Sequence, residues 1–250
     1  MAARPRALVI GGRRGIGAAV VNVLARRGAD VTFTYRSDVA TWLDALRAAH
    51  PEAAFDALPL DLAKRGAVDA FADRLEADEP YGTLVQVGGM TYDALAALMD
   101  QDAAEAAMQV NFWSFARIAR AVMRPMTRAR HGRIVAIGSV IGQQATQGNA
   151  AYAASKSALL GYVRTLAIET ARRGVTVNYV APGFVDTEML APFAAHRAAT
   201  EARIPAGRYA SPEEIAEVVG FLASPEAAYV TGAVIPVDGG LTASIGVQRA

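Results

Sequence analysis

Three side chains stand at a spacing that suits proton transfer: Ser139, Tyr152 and Lys156. Tyr152 and Lys156 are four residues apart, so on a helix they share one face. A nearby ammonium favours the phenolate and draws a tyrosine pKa from about 10 towards the working pH. Such a tyrosine can act as general acid towards a carbonyl oxygen. Ser139 stands thirteen residues before Tyr152, just past the apolar run Arg133 to Ile137. Its hydroxyl can bond the same oxygen and stabilise charge there. The chemistry implied is reduction of a carbonyl, or the reverse oxidation of an alcohol.

A second cluster points to the partner that such chemistry needs. The stretch GGRRGIG follows the apolar run Ala7-Leu8-Val9-Ile10 and opens a segment of helical spacing. Gly11, Gly15 and Gly17 there fit the turn of a nucleotide-binding βαβ unit, with Ile16 between the last two. The helix start offers unpaired N–H groups and a positive dipole end to a pyrophosphate. A second apolar run, Val31 to Tyr35, ends in Arg36, with no acid before Asp38. An acid at that place would hold a ribose 2′-hydroxyl. In its stead Arg36 and Arg14 are placed to flank a 2′-phosphate through charge-assisted contacts. The expected cofactor is therefore NADPH/NADP+, and Arg13 is expected to be a surface residue.

These residues need a frame. Seven short apolar runs recur: Ala7 to Ile10, Val31 to Tyr35, Ala54 to Leu58, Thr83 to Val87, Arg133 to Ile137, Val175 to Val180 and Ala233 to Val237. Ala-rich segments of helical spacing separate most of them. Strands apolar on both faces, alternating with helices, predict a parallel sheet covered on both sides. Right-handed crossovers make it an α/β, Rossmann-type doubly wound sheet of about seven strands. One domain is expected over residues 1–250, with a lid at about 186–205.

Composition narrows the classes. The chain has 250 residues, of which 53% are hydrophobic, enough for a large core. A net charge of +1 gives no reason to expect nucleic-acid binding. Cysteine is absent, which removes disulfides, zinc–thiolate sites and thiol nucleophiles, and no metal site is expected. No uninterrupted apolar stretch approaches the roughly 18 residues of a membrane span. A cytoplasmic protein is expected.

Over essentially its whole length the sequence resembles a classical short-chain dehydrogenase/reductase. The matching stretches are GGRRGIG, Asp61-Leu62, NFWS at Asn111, GSVIG, YAASK, NYVAPGFVDTEM and YVTGAVIPVDGG. The resemblance implies roles by position. Asn111 holds a water and completes a proton relay to Lys156, which also bonds the nicotinamide ribose; Tyr152 borders the same cofactor. Asp61, with Leu62 beside it, contacts the adenine. Pro182, Gly183, Val185 and Thr187 form the loop around the nicotinamide. A homotetramer is implied, built on the long helices flanking the fifth strand and on the C-terminal strand. The sequence also departs from the family pattern. Ile10 stands where a threonine would tie the glycine loop to the neighbouring strand. Gln86-Val87-Gly88-Gly89 replaces Asn-Asn-Ala-Gly. Gly88 still allows close approach to the adenosine ribose, but Val87 cannot make the second asparagine's side-chain bonds. Weaker local support is expected at both places.

For the substrate, the stretch from Gly89 to Leu95 resembles 3-oxoacyl-acyl-carrier-protein reductases within the family. The leading expectation is NADPH-dependent reduction of a 3-oxoacyl thioester, carried by acyl-carrier protein, in fatty-acid, polyketide or polyene biosynthesis. A free small alcohol, sugar or cyclic ketone is a second reading, and a non-catalytic NADP(H)-binding sensor or scaffold a third. Arg117, Arg120, Arg124, Arg128, Arg130 and Arg133 precede or enter the fifth strand. Arg130, together with Arg173, is the expected basic rim for an acidic carrier protein. Met189, Leu190 and Phe193 on the lid, and Gln143 and Gln144 on the facing loop, are the expected substrate contacts.

Overall fold

The computed structural model describes residues 4–244, without the side chains of Pro192 and Phe193. One sheet holds seven strands: β1 (Arg6–Ile10), β2 (Asp30–Tyr35), β3 (Phe55–Pro59), β4 (Thr83–Gln86), β5 (Gly132–Ile137), β6 (Val175–Pro182) and β7 (Val234–Val237). Each lies within two residues of an apolar run in the sequence. All neighbouring strands pair in parallel, in the order β3-β2-β1-β4-β5-β6-β7. The helices are α1 (Gly15–Arg26), α2 (Ala40–Ala49), α3 (Arg65–Ala77), α4 (Gln101–Met108), α5 (Ser114–Ala129), α6 (Ala150–Thr170), α7 (Arg197–Glu201) and α8 (Pro212–Leu222).

Successive residues of a strand face opposite sides, and here both sides are covered. In β1, Leu8 and Ile10 enter a core with Phe71 of α3, Ile118 of α5 and Leu159 of α6. Ala7 and Val9 enter the other core, with Val20 of α1 and Ile215 of α8. Two cores on one sheet explain why the strands read as continuous apolar runs rather than alternating ones. Strand order reverses direction between β1 and β4, and a doubly wound sheet opens a crevice there, at the carboxyl ends of the strands.

Parallel strands all point towards that crevice, so the intervening helices run back from it. The C-terminal ends of α5 and α6 therefore lie at the opposite edge of the sheet. This corrects the placement of the basic rim. Arg130 ends α5 in a left-handed conformation (φ 54°) and donates to the Arg172 carbonyl at 3.1 Å. A Cβ on Gly174 would lie 2.4 Å from the Arg130 carbonyl oxygen, so the ends of α5 and α6 pack together there. Arg130 and Arg173 each stand two residues before their strand begins, whereas Ser139 stands two residues after β5 ends. At about 3.3 Å per residue the length of β5 alone puts roughly 20 Å between them. The two arginines do not rim the site. Of the others, Arg117 pairs with Asp69 of α3 at 2.8 Å and Arg124 with Glu76 at 3.7 Å, while Arg120 and Arg128 are exposed. Arg133 is buried, donating to the Ser224 and Gly132 carbonyls at 3.2 and 2.9 Å.

Candidate active site

At the crevice, β5 delivers Ser139 and α6 delivers Tyr152 and Lys156, as their spacing predicts. Ser139 is extended and nearly buried, and its Oγ accepts from the Ile141 N–H at 3.1 Å. The Tyr152 hydroxyl is within hydrogen-bonding reach of the Ser139 side chain. Lys156 is buried, its Nζ donating to the Ile137 carbonyl at 3.2 Å and standing 5.7 Å from the Tyr152 ring centroid.

The electrostatics differ from the sequence argument in one respect. Burial pushes the Tyr152 pKa up, the Ser139 hydrogen bond opposes that, and the Asp93 carboxylate adds to the rise. Burial likewise pushes Lys156 down, to about 8. Desolvation outweighs the expected help of the ammonium because Lys156 is turned to a main-chain carbonyl and shares the same dry environment. Tyr152 is thereby held protonated at neutral pH, the form a proton donor needs. Asp93 has a second contact: its carboxylate accepts from Asn149, the residue preceding α6. The Ala94 N–H donates to the Gly148 carbonyl at 2.8 Å, so the segment after β4 is stapled to the start of the Tyr152 helix. Asp93 was not singled out from sequence; its spacing to Tyr152 carries no local signal.

Asn111 lies in a π-helical turn, Gln109–Trp113, between α4 and α5. Such single turns are rare and are frequently found at functional sites. The amide itself is fully used: Oδ1 accepts from the Met90 N–H, and Nδ2 donates to the Met90 carbonyl and the Ser155 hydroxyl, each at 2.9 Å. Its side chain is thus a clamp that ties the turn after β4 to α6. A Cβ on Gly89 would lie 3.1 Å from Asn111 Oδ1 and 3.4 Å from Lys156 Nζ, so both groups face that glycine.

The glycine loop fits a dinucleotide. Gly11 (φ 81°) and Gly15 (φ 51°) adopt backbone conformations that other residues avoid. A Cβ on Gly17 would fall 1.9 Å from the Gly11 carbonyl oxygen, and one on Gly11 2.8 Å from Gly88. Side chains here would fill the cradle. Ile16 is half-buried beside it, and Leu62 lies against Gly88. The missing hydroxyl at Ile10 is made good by a neighbour: the Gly11 N–H donates to Thr34 Oγ1 and the Gly12 N–H to the Thr34 carbonyl, both at 2.9 Å. At the altered Gln86-Val87-Gly88-Gly89 turn, Gln86 Nε2 donates to the Gly88 carbonyl at 2.8 Å while Val87 packs into the α1/α8 core. The loss at Ile10 is thus covered from across the sheet, whereas at the second turn one bond is gained and Gln86 Oε1 is buried without a hydrogen-bond partner.

Arg36 lines an open cleft of about 540 Å³ with Tyr35, Leu60, Asp61 and Lys64. Arg14 is exposed and paired with Glu188 at 3.1 Å, at the start of the expected lid. Arg13 is not the bare surface residue expected. Its Nε donates to the Asp38 carbonyl at 2.8 Å and its guanidinium lies 5.5 Å from the Trp42 ring centroid, beside the end of β2. Pro182 ends β6; the Gly183 N–H donates to the Val237 carbonyl at 3.0 Å, and Val185 is buried beside Ala210. Thr187 covers Gly15, where an added Cβ would meet its methyl group at 3.1 Å. Met189, Gln143 and Gln144 are exposed and Leu190 half-buried; the Phe193 side chain lies outside the described residues.

A parallel doubly wound sheet with a glycine cradle at its switch point, and Ser139, Tyr152 and Lys156 beside it, defines an oxidoreductase of short-chain type. The chain belongs to the short-chain dehydrogenase/reductase family: residues 10–242 match the family described as enoyl-(acyl carrier protein) reductase. The 3-oxoacyl-[acyl-carrier-protein] reductase FabG of Pseudomonas aeruginosa is 43% identical over 240 residues, spanning 94% of this chain and 96% of that protein. A protein described as an NAD(P)-dependent gluconate 5-dehydrogenase from Beutenbergia cavernae, solved with NADP, superposes with a TM-score of 0.91 at 37% identity, over 96% of this chain and 97% of that one. A variant of the actinorhodin polyketide ketoreductase, solved with NADPH, gives 0.89 at 32% identity, over 96% and 99%.

Proposed function

We propose that this protein is an NADPH-dependent reductase of 3-oxoacyl thioesters bound to acyl-carrier protein, forming the 3-hydroxyacyl thioester. The observation that carries the chemistry is the dry cluster of Ser139, Tyr152 and Lys156 beside a cradle that only glycine fits. The similarity to the Pseudomonas reductase along nearly the full length supports the substrate class. Gly11, Gly15, Ile16 and Gly17 hold the pyrophosphate, Arg36 and Arg14 the 2′-phosphate. Asp61, Leu62 and Gly88 hold the adenosine, and Pro182, Gly183, Val185 and Thr187 the nicotinamide end. Bound there, the cofactor supplies the hydride that reduces the carbonyl carbon. Ser139 donates a hydrogen bond to the carbonyl oxygen and Tyr152 delivers the proton to it. Lys156, with its pKa near 8, then returns a proton to Tyr152 close to working pH. Asn111 holds the water that passes the next proton inward to Lys156. Met189, Leu190 and Phe193, with Gln143 and Gln144 opposite, line the acyl path under a lid at 186–205.

The assembly proposed is a homotetramer. Trp113 beside α5, Ile168 on α6 and Tyr229 before β7 are large apolar residues left exposed on the elements the resemblance assigns to subunit contacts. A cytoplasmic location goes with this reading. A second reading, reduction of a free sugar acid or polyol ketone, draws on the gluconate dehydrogenase likeness. The test is NADPH oxidation with three substrates: 3-oxoacyl-carrier protein, a free 5-keto sugar acid, and a carrier-bound 2-enoyl chain. Turnover of the first, well above the others, is expected. Preference for the sugar acid would establish the second reading, and preference for the enoyl chain would overturn ketone reduction. No turnover of any, with NADPH still bound, would leave the sensor role.

A further inference from the structure

Beneath Ser139 and Lys156, on β6, lies Tyr179, a phenol buried to 0% exposure. Its hydroxyl accepts from the Ser139 N–H at 3.0 Å and faces the Ser139 carbonyl at 3.2 Å and the Lys156 carbonyl at 3.4 Å. One hydroxyl offers one proton and two lone pairs, so it bonds Ser139 on both sides of its Cα and reaches the turn of α6 that carries Lys156. The surroundings are cut to fit it. A Cβ on Gly138 would fall 1.7 Å from a ring carbon, and one on Gly142 2.5 Å from the phenol oxygen. Two glycines thus leave room for one large side chain. A valine or alanine in β6 would make none of these bonds and would leave that room empty.

We propose that Tyr179 is a positioning residue: its hydroxyl fixes the main chain of Ser139 relative to Lys156, and so sets where the carbonyl-binding hydroxyl stands. The proposal rests on the roles given above to Ser139 and Lys156. Tyr179 touches no reacting group. It acts through the Ser139 backbone, at a place where displacement of about an ångström is costly in rate.

The consequence is measurable at Tyr152. The charged and titratable groups facing that phenol are Asp93, Lys156 and Tyr179 itself, and the Ser139 hydroxyl acts on it to lower its pKa. The Ser139 bond opposes the rise caused by burial and by Asp93. If Ser139 drifts, the rise goes unopposed and the Tyr152 pKa climbs. Oxidation of the 3-hydroxyacyl thioester needs tyrosinate, so its rising limb moves to higher pH.

The experiment is Tyr179→Phe, which keeps the ring and removes the hydroxyl. A roughly tenfold fall in kcat is expected, the equivalent of about 1.4 kcal/mol, with KM for NADPH within about twofold and the oxidative limb displaced to higher pH. A folded Tyr179→Phe enzyme with wild-type kcat and an unmoved limb overturns the proposal. Should that variant not fold, the double substitution Gly138→Ala, Tyr179→Val refills the space without the hydroxyl. Lowered kcat with the same limb shift supports the proposal, and wild-type behaviour sinks it. Tyr152→Phe is run alongside. If it too retains full turnover, the assignment of the site has failed, whereas loss there with an unaffected Tyr179→Phe rejects only the positioning role.

Discussion

At the proton-transfer end of the crevice, Asn111, Ser139, Lys156 and Tyr179 are buried and bonded to main chain. At the end proposed to read the phosphate, Arg14 and Arg36 are exposed, and Arg14 is paired with Glu188 at the start of the proposed lid. The first end is built from bonds that cannot be exchanged for water without a large penalty. The second is built from charges in a high dielectric, where each ion pair contributes little and is readily replaced. Proton transfer demands fixed distances, so its groups are locked before any ligand arrives. Recognition of a phosphate tolerates movement, and Glu188 is a ready carboxylate stand-in for it on Arg14.

The comparison is broken most severely by Tyr152→Phe. Loss of the general acid is expected to lower kcat by about 10²–10⁴-fold while NADPH binding, followed by cofactor fluorescence, is retained. Unchanged turnover would remove Tyr152 from the mechanism.

Next comes the electrostatic cost of the locked end. Lys156 has its folded pKa depressed by burial to about 8 from the usual 10.5. Between those values the unfolded chain binds more protons, so this group's contribution rises with pH across that window and is lost as pH falls through about 8. Lys156→Met is therefore expected to stabilise the cofactor-free protein at pH 7, by up to about 3 kcal/mol, with the gain shrinking towards pH 10.5. Denaturant melts at pH 7 and pH 10 check this; a pH-independent difference would assign the effect to packing.

At the open end, Arg36→Ala is expected to raise KM for NADPH about tenfold or more, one lost charge-assisted bond, and to leave KM for NADH unchanged. Arg14→Ala should act in the same direction but less, because Arg14 must first release Glu188. Glu188→Gln then sharpens the contrast: removing the competing carboxylate is expected to lower KM for NADPH by a few-fold at most, and less at high salt. Equal changes for NADPH and NADH would return Arg14 to the surface. The smallest effect is expected at the far edge. Arg130→Glu and Arg173→Glu should leave turnover of a free thioester mimic within about twofold of wild type, as surface substitutions remote from a site do.

The strands, the helix face shared by Tyr152 and Lys156, and the glycine turn were legible because each is a local pattern, set by side-chain period, turn geometry or spacing along one element. Charge read at the ends of α5 and α6 suggests a rim at Arg130 and Arg173, but the direction of both helices takes those ends to the opposite edge of the sheet. The replacement of the missing threonine by Thr34 had no local sign at all. Thr34 reaches Gly11 only because β2 lies beside β1 in a fixed register.

The sequence by itself determined the sheet, the cradle and the helix face shared by Tyr152 and Lys156, since hydrophobic period and residue spacing act within short stretches of chain. Only the tertiary structure decided what lies underneath and across. It set Tyr179 of β6 under Ser139 after β5, closed Asn111 onto Met90 and Ser155, turned Arg14 to Glu188, and made burial rather than the Lys156 charge the dominant influence on Tyr152. These are contacts between residues distant in sequence, and strand register and helix packing fix them.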